Sequence, residues 1–111
     1  MSKYGNMKTV VDGITFDSKL EASRYCELKL LERAGEITDL QLQPEFVLIP
    51  AFEKFGKRYR AVKYVADFAY YDLRGRYIVE DAKGFKTAVY KLKRKLFDYN
   101  NQNTIFREIT K

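Results

Sequence analysis

The chain has 111 residues, of which 46% are hydrophobic, so the sequence predicts one domain, residues 1–111, with a single modest core. It contains no histidine and one cysteine, which excludes an internal disulfide, cysteine or imidazole zinc sites and histidine-based nucleophilic catalysis. The net charge of +6 favours an anionic partner, by default nucleic acid, although a basic balance can also serve solubility alone.

The amino-terminal part is predicted to hold a small hairpin followed by a helix. Residues 1–7 are polar and are expected to be loose. Asp12-Gly13 is a two-residue turn signal between the apolar pairs of residues 9–16. We see no signal peptide and no membrane span, so we expect a cytoplasmic protein without membrane contact.

The first helix is predicted to begin at Ser18 and to end before Gly35, with Leu20, Leu28 and Leu31 as its buried stripe and Tyr25 alongside. Glu21 has two interpretations. It stands three residues after Ser18, as a capping box requires. It also lies at the margin of the buried stripe, from which its carboxylate could point toward a sheet.

Residues 37–42 are predicted to lead into one strand, residues 46–50, which Pro44 and Pro50 bracket. Residues 52–63 form a basic turn around Gly56, in which cations alternate with Phe55 and Tyr59. Such a mixture suits phosphate contact combined with base stacking. A plain solvated hairpin tip would have the same composition.

The central stretch is residues 63–84, which predicts two strands, 64–71 and 76–83, joined by a loop that ends at Gly75. This turn places Tyr71 opposite Tyr77, and counting outward places Asp67 opposite Asp81 on one face of the sheet. Lys83, two residues beyond Asp81, shares that face.

Opposed like charges destabilise a sheet, so this pair of carboxylates suggests a divalent metal ion. Two alternatives remain open from the residues alone. Asp67 and Asp81 could face solvent and pair with Lys83. A one-residue slip of register would instead put Glu80 opposite Asp67.

A second helix, residues 88–99, is predicted with Thr87 as N-cap and with Val89, Leu92, Leu96 and Tyr99 as its packed face. Lys91, Lys93, Arg94 and Lys95 fall largely elsewhere on the helix and indicate either a solvated face or a phosphate-binding one. A short strand, residues 104–109, closes the chain.

The order helix, three strands, helix, strand predicts an α/β (α+β) fold of αβββαβ type. We expect a mixed four-stranded sheet flanked by helices, with the closing strand added in parallel after a crossover helix. The small amino-terminal hairpin precedes this core.

This order, with Asp67 on one strand and Asp81-Ala82-Lys83 on the next, resembles the core of the PD-(D/E)XK nuclease superfamily. Small phage- and prophage-encoded members have segments similar to FDSKLEASRY, LQPEF, YVADF and VEDAKG. Phage endonuclease-I-type junction resolvases have a similar arrangement of site residues. One departure is Ala66, where the motif usually has proline before the aspartate.

The resemblance implies a Mg²⁺- or Mn²⁺-dependent DNA endonuclease of phage or prophage origin. It also suggests selectivity for branched DNA in replication or recombination. Asp67, Asp81 and Glu21 would bind the metal, with Glu80 as the alternative to Asp81. Lys83 would orient or deprotonate the attacking water, and Gln43 would be an auxiliary site residue.

The basic residues predicted to grip DNA are Lys57, Arg58, Arg60, Lys86, Lys91, Arg94 and Lys95. A small nuclease that cuts both strands is expected to be a homodimer. The alternatives from other functional classes are a non-catalytic nucleic-acid-binding module on the same fold and a subunit of a larger phage complex.

Overall fold

The computed structural model describes residues 8–82 and 86–110. Residues 1–7, expected to be loose, and Lys83 lie outside the described residues. The helices and strands of the described part are β1 Thr9–Val11, β2 Ile14–Phe16, α1 Lys19–Arg33, β3 Ile37–Leu42, β4 Glu45–Ile49, β5 Phe52–Lys54, β6 Lys57–Tyr59, β7 Val62–Val65, β8 Phe68–Asp72, β9 Tyr77–Ala82, α2 Ala88–Asn100 and β10 Ile105–Ile109.

The central sheet has four strands in the order β10-β9-β8-β3. β10 runs parallel to β9, whereas β8 is antiparallel to both β9 and β3. The predicted mixed sheet and αβββαβ order are therefore confirmed, and so is the parallel addition of the closing strand. The fold is of the mixed α+β class, with the small hairpin β1–β2 before the core.

The two helices cover opposite faces of this sheet. α1 packs through Leu28 against Phe68 and Ile78, together with Phe16 from the amino-terminal hairpin. Phe97 of α2 belongs to a second cluster, which contains Val79 of β9. Because neighbouring residues in a strand point to opposite faces, Ile78 and Val79 divide the sheet between the two helices.

The start of α1 follows its local sequence. The Ser18 hydroxyl accepts a hydrogen bond from the Glu21 amide at 3.1 Å, as an N-cap does. In a capping box the Glu21 carboxylate would accept a hydrogen bond from the Ser18 amide. Here it accepts from the amide of the preceding residue, Asp17, at 3.3 Å. Gly35 has a φ of +77°, the left-handed conformation that ends a helix.

One predicted strand is broken, because residues 64–71 divide into β7 and β8 at Ala66 and Asp67. β7 leaves the central sheet and pairs with β4, whereas β8 pairs with β3. Backbone hydrogen bonds from Gln43 to Asp67 at 2.9 Å and from Ala66 to Pro44 at 3.1 Å carry the pairing through the bend. The predicted basic turn is itself a hairpin, β5–β6.

The predicted packed face of α2 is wrong in most of its residues, although its N-cap, Thr87, is confirmed. Tyr90 and Phe97 are buried and lie on the same side of the helix, seven residues apart. Val89, Leu92 and Tyr99 are exposed, and only Leu96 packs partly against the core. The helix therefore buries the rings of Tyr90 and Phe97 and leaves an apolar stripe, which includes the Tyr99 ring, outside.

The molecule measures 52 × 40 × 23 Å along its principal axes. Within residues 8–82 and 86–110, neither helix is long and apolar enough to cross a membrane.

Candidate active site

The register of β8 and β9 is the predicted one. Tyr71 lies opposite Tyr77 and Phe68 lies opposite Glu80. Gly75 adopts a φ of +76° at the end of the connecting loop, which only a residue tolerant of the left-handed region adopts easily. Continuing the register by one residue brings Asp67 level with Asp81, so the one-residue slip does not occur.

Asp67 is held by its backbone and by its side chain. Its amide donates to the Glu80 carbonyl at 3.1 Å, and its carbonyl accepts from the Gln43 amide at 2.9 Å. Its Oδ2 accepts from the Ala82 amide at 2.7 Å. A carboxylate fixed in this way at a bend between two sheets needs little reorganisation to bind a ligand.

Asp81 is fully buried, so the alternative in which it simply faces solvent is wrong for this residue. The Tyr64 hydroxyl, from β7, donates a hydrogen bond to its Oδ2. Burial, and then this hydrogen bond, raise the pKa of Tyr64, which therefore remains a neutral donor. Asp81 is thus oriented by a side chain from the first half of the broken strand.

Glu21 is also buried, at the amino-terminal end of α1. Burial raises the pKa of its carboxyl above the ordinary value of 4.5, while the hydrogen bond from the Asp17 backbone opposes this. An interaction with the Asp67 side chain lowers the pKa of Glu21 and the negative charge of Asp81 raises it, so both aspartates act on this carboxyl. Both roles proposed for Glu21, capping and a place beside the sheet, are therefore combined in one residue.

Three carboxylates, from α1, the β7–β8 bend and β9, thus approach one another at one end of the sheet. Among the described residues, no group of three or more Asp, Glu, His or Cys side chains is arranged closely enough to hold a metal ion as it stands. The donor chemistry nevertheless fits Mg²⁺ or Mn²⁺, which take carboxylate oxygens. The raised pKa of Glu21 shows that its surroundings disfavour the ionised carboxylate. A divalent cation bound nearby would stabilise that ionised form.

The whole chain, residues 1–111, matches the model of one protein family, described as a protein of unknown function (DUF1064). The chain belongs to the DUF1064 family. No curated protein and no solved structure gave a significant match.

In this DUF1064 chain, Glu80 faces away from Asp81 and already has a cationic partner. Arg24 of α1 donates to both of its carboxylate oxygens at 2.7 Å, and the Tyr70 hydroxyl donates to one of them. Burial raises the pKa of Tyr70 to about 12, with the bond to Glu80 adding to it, so Tyr70 is a neutral donor. This arrangement favours Asp81 over Glu80 as a metal ligand, because the Glu80 charge is already compensated.

Two predicted site residues, Gln43 and Lys83, remain, and only Gln43 lies within the described residues. Gln43 is exposed, with a φ of +51°, and its backbone amide donates the hydrogen bond to Asp67. Its position at the bend, rather than its side chain, connects it to the site. Lys83 lies outside the described residues, so its role stays a prediction.

The predicted DNA-binding cations fall into two groups. Lys57, Arg58 and Arg60 are exposed at the tip of the β5–β6 hairpin. The other four line a groove of about 440 Å³ along α2; they are Lys86, Lys91, Arg94 and Lys95. Lys91 and Lys95 are the exposed members of this groove group that project from the helix itself.

The groove lies beside the carboxylates because Glu108, which also lines it, is the neighbour of Asp81 in the parallel pair β9–β10. Glu108 accepts from Lys86 at 2.8 Å, from the Tyr90 hydroxyl at 2.7 Å and from Arg94 at 3.3 Å. These contacts, led by Lys86, lower the pKa of Glu108. A phosphate bound by Lys86 or Arg94 would therefore compete with Glu108 for their N–H donors.

Glu21→Gln is expected to stabilise the metal-free protein at neutral pH. An acid with a raised folded-state pKa destabilises the fold as pH rises above its ordinary pKa, because its charged form is disfavoured there. Glutamine retains an acceptor for the Asp17 amide without the charge. We expect a gain of roughly 0.5–2 kcal/mol at pH 7 that disappears below about pH 4.

Thermal unfolding in EDTA at both pH values measures this gain. Glu36→Gln, at an exposed position, serves as the matched control. A variant less stable than wild type at pH 7 would show that ionised Glu21 supports the fold.

Proposed function

We propose that this protein is a Mg²⁺- or Mn²⁺-dependent DNA endonuclease that hydrolyses phosphodiester bonds. The observation that carries the proposal is the approach of Glu21, Asp67 and Asp81 from α1, the β7–β8 bend and β9. Three carboxylates brought together by elements distant in sequence are costly to a fold unless a cation uses them.

The chain's own residues would prepare the site. Asp67, fixed by the Ala82 amide, and Asp81, oriented by Tyr64, present oxygen ligands with little freedom to move. Glu21 would complete the ligand set from the helix. A divalent cation, when bound, polarises a phosphate oxygen and lowers the pKa of a coordinated water. Lys83 is expected, from the resemblance alone, to position that water.

The α2 groove supports DNA as the substrate, since Lys86, Lys91 and Lys95 line it together with Glu108, the neighbour of Asp81 in the pair β9–β10. Contacts to phosphate release counterions, so binding should weaken steeply with salt. Selectivity for branched DNA in phage replication or recombination, inside the host cytoplasm, is part of the proposal and derives from the resemblance.

The exposed stripe on α2 supports a homodimer as the active form. Leu92 and Tyr99 lie on the side of α2 opposite Tyr90 and Phe97, and exposed Val89 extends this apolar patch at its edge. A two-fold pairing of such patches would place two sites on one DNA, one for each strand. Leu92→Glu is expected to give a monomer in sedimentation experiments, with Lys91→Gln, which also lowers the charge by one unit, as the charge-matched control. A wild-type protein that sediments as a monomer at roughly tens of micromolar, where a dimer of micromolar affinity is populated, would contradict the homodimer.

The proposal is tested by cleavage of labelled four-way junction, linear duplex and single-stranded DNA with Mg²⁺, Mn²⁺ or EDTA. Asp67→Asn preserves an acceptor for the Ala82 amide, so we expect folding and DNA binding to persist and metal-dependent cleavage to be lost. Mn²⁺ binding, measured by electron paramagnetic resonance, should weaken in parallel. Asp39→Asn, at an exposed left-handed position that asparagine tolerates, is the matched control.

Tight DNA binding with no cleavage of any substrate under any metal would overturn the nuclease. It would leave the non-catalytic nucleic-acid-binding module as the better account. A salt-insensitive complex with another protein and no affinity for DNA would instead indicate a subunit of a larger assembly.

A further inference from the structure

The tip of the β5–β6 hairpin, residues 52–60, presents a surface that the candidate active site does not use. All nine residues are exposed, and Phe55 at the apex is 98% exposed. The tip carries four cations, Lys54, Lys57, Arg58 and Arg60, against the single carboxylate of Glu53. It is therefore both aromatic and cationic.

The backbone of Phe55 is left-handed, which is unfavourable for a bulky residue, and its apolar ring is exposed to solvent. Its φ is +51°, followed by +77° at Gly56, so both turn residues are left-handed. Turns of this kind favour Asn-Gly, and a bulky residue at positive φ is uncommon. Because the ring also gains nothing from burial, its presence here points to a binding role rather than to packing.

The strands below the apex hold this ring away from the body of the protein. Phe52 and Tyr59 are directly opposed, with ring centroids 4.7 Å apart and planes within 8° of parallel. The Lys57 ammonium lies 4.9 Å from the Tyr59 ring and that of Lys54 lies 5.7 Å from the Phe55 ring. Beyond them, β4–β7 continues the antiparallel pairing toward the core.

We propose that Phe55 stacks on an unstacked base of DNA, with the neighbouring cations holding the phosphates on either side. Every base offers a face for stacking, so such a contact does not depend on sequence. In a continuous duplex the bases are already stacked, and the ring would first have to open a step at a cost. The tip therefore selects DNA whose stack is interrupted, at a branch point, a gap or a single-stranded segment.

This inference rests on the proposed action on DNA for its choice of ligand and names the substrate class of that action. It can be tested without cleavage, because binding is measured in EDTA. The chain contains no tryptophan, so Phe55→Trp introduces a single tryptophan at the apex, whose emission can be excited selectively over that of the nine tyrosines. We expect its emission to be quenched by a gapped duplex and to change little with a continuous duplex of the same sequence.

Phe55→Asn gives the complementary measurement. Asparagine suits the left-handed turn position, so the hairpin should fold at least as well, while the ring is lost. Binding of gapped DNA should weaken roughly 5- to 100-fold, as loss of one stacked base implies, and binding of continuous duplex should not. Leu73→Asn, another exposed apolar residue, located in the β8–β9 loop, is the control and should change neither.

Absence of quenching by gapped DNA, or unchanged binding by Phe55→Asn, would overturn the proposal. So would a blue shift of the tryptophan on anionic phospholipid vesicles with no response to DNA, which would assign the tip to a membrane surface. Quenching in a protein that cleaves no DNA would uphold the stacking role while the nuclease fails. Cleavage without quenching would refute the stacking role alone.

Discussion

Asp81→Asn is expected to lower metal-dependent DNA cleavage by about a thousandfold, which corresponds to the several kcal/mol of transition-state stabilisation that a held metal supplies. The fold should survive, because asparagine still offers an oxygen to the Tyr64 hydroxyl. The neighbouring substitution, Glu80→Gln, should instead act on stability, since Glu80 is paired with Arg24 on the opposite face.

Glu80→Gln leaves the Arg24 guanidinium without its buried compensating charge, although the surface contact with Glu27 remains. Removing one partner of a buried pair costs roughly 3–5 kcal/mol, and the low end applies here because Arg24 retains some contact with water. A loss of about 3 kcal/mol lowers the melting temperature by on the order of 15 °C in a domain of this size.

Cleavage rates measured at a temperature where both variants are folded, beside thermal unfolding curves, separate the two effects. Retained cleavage in Asp81→Asn, with activity lost in folded Glu80→Gln, would reverse the assignment of the ligand. Equal losses in both would indicate that the two carboxylates act as a unit.

Arg24→Met is expected to be the most destabilising single change at the sheet, at about 3–5 kcal/mol. It leaves the Glu80 carboxylate, which is fully buried, with the Tyr70 hydroxyl as a donor in place of three hydrogen bonds. The methionine side chain matches the aliphatic part of arginine, so the loss reports charge rather than volume.

The double variant Arg24→Met/Glu80→Gln should recover most of this loss, because neither charge then remains buried and the introduced glutamine still accepts from Tyr70. Urea unfolding of wild type, both single variants and the double variant measures the coupling. Glu27→Gln is the control, since its 3.5 Å contact with Arg24 is on the surface and contributes little. A double variant less stable than Arg24→Met would mean that Glu80 is needed for another contact.

Local signals predicted much of the fold. Ser18 and Thr87 cap the helices, and Asp12-Gly13 forms the first hairpin turn, as their sequences indicate. The β8–β9 register was predictable because a short loop with a left-handed glycine leaves few pairings. That register is also what made Asp67 and Asp81 candidates together.

The face of α2 could not be read from its own residues. Val89, Leu92 and Tyr99 have helical spacing as regular as that of Tyr90 and Phe97. The choice between these faces is made by Phe46, Tyr64 and Phe106, whose rings meet Phe97 at 4.9–5.8 Å. These partners come from three different strands, so no window of local sequence contains them.

Arg24, Tyr64 and Tyr70 were missed as partners of the acidic residues. Arg24 is 56 residues from Glu80, and nothing in the helix marks it as the one arginine that turns inward. The break in the predicted strand at Asp67 was missed for a similar reason. It depends on Gln43 and Pro44 of the opposite strand, which meet it only after the chain has folded.

The sequence by itself determined the order of the core helices and strands, the turns and the caps, and it predicted the pairing of Asp67 with Asp81 beside one alternative register, because each depends on residues close together or on one short loop. The tertiary structure decided which of Glu80 and Asp81 pairs with Arg24, that Glu21 approaches Asp67, and which side of α2 is buried. Those outcomes depend on contacts between distant segments, whose free energy is set by packing and charge burial in the assembled fold.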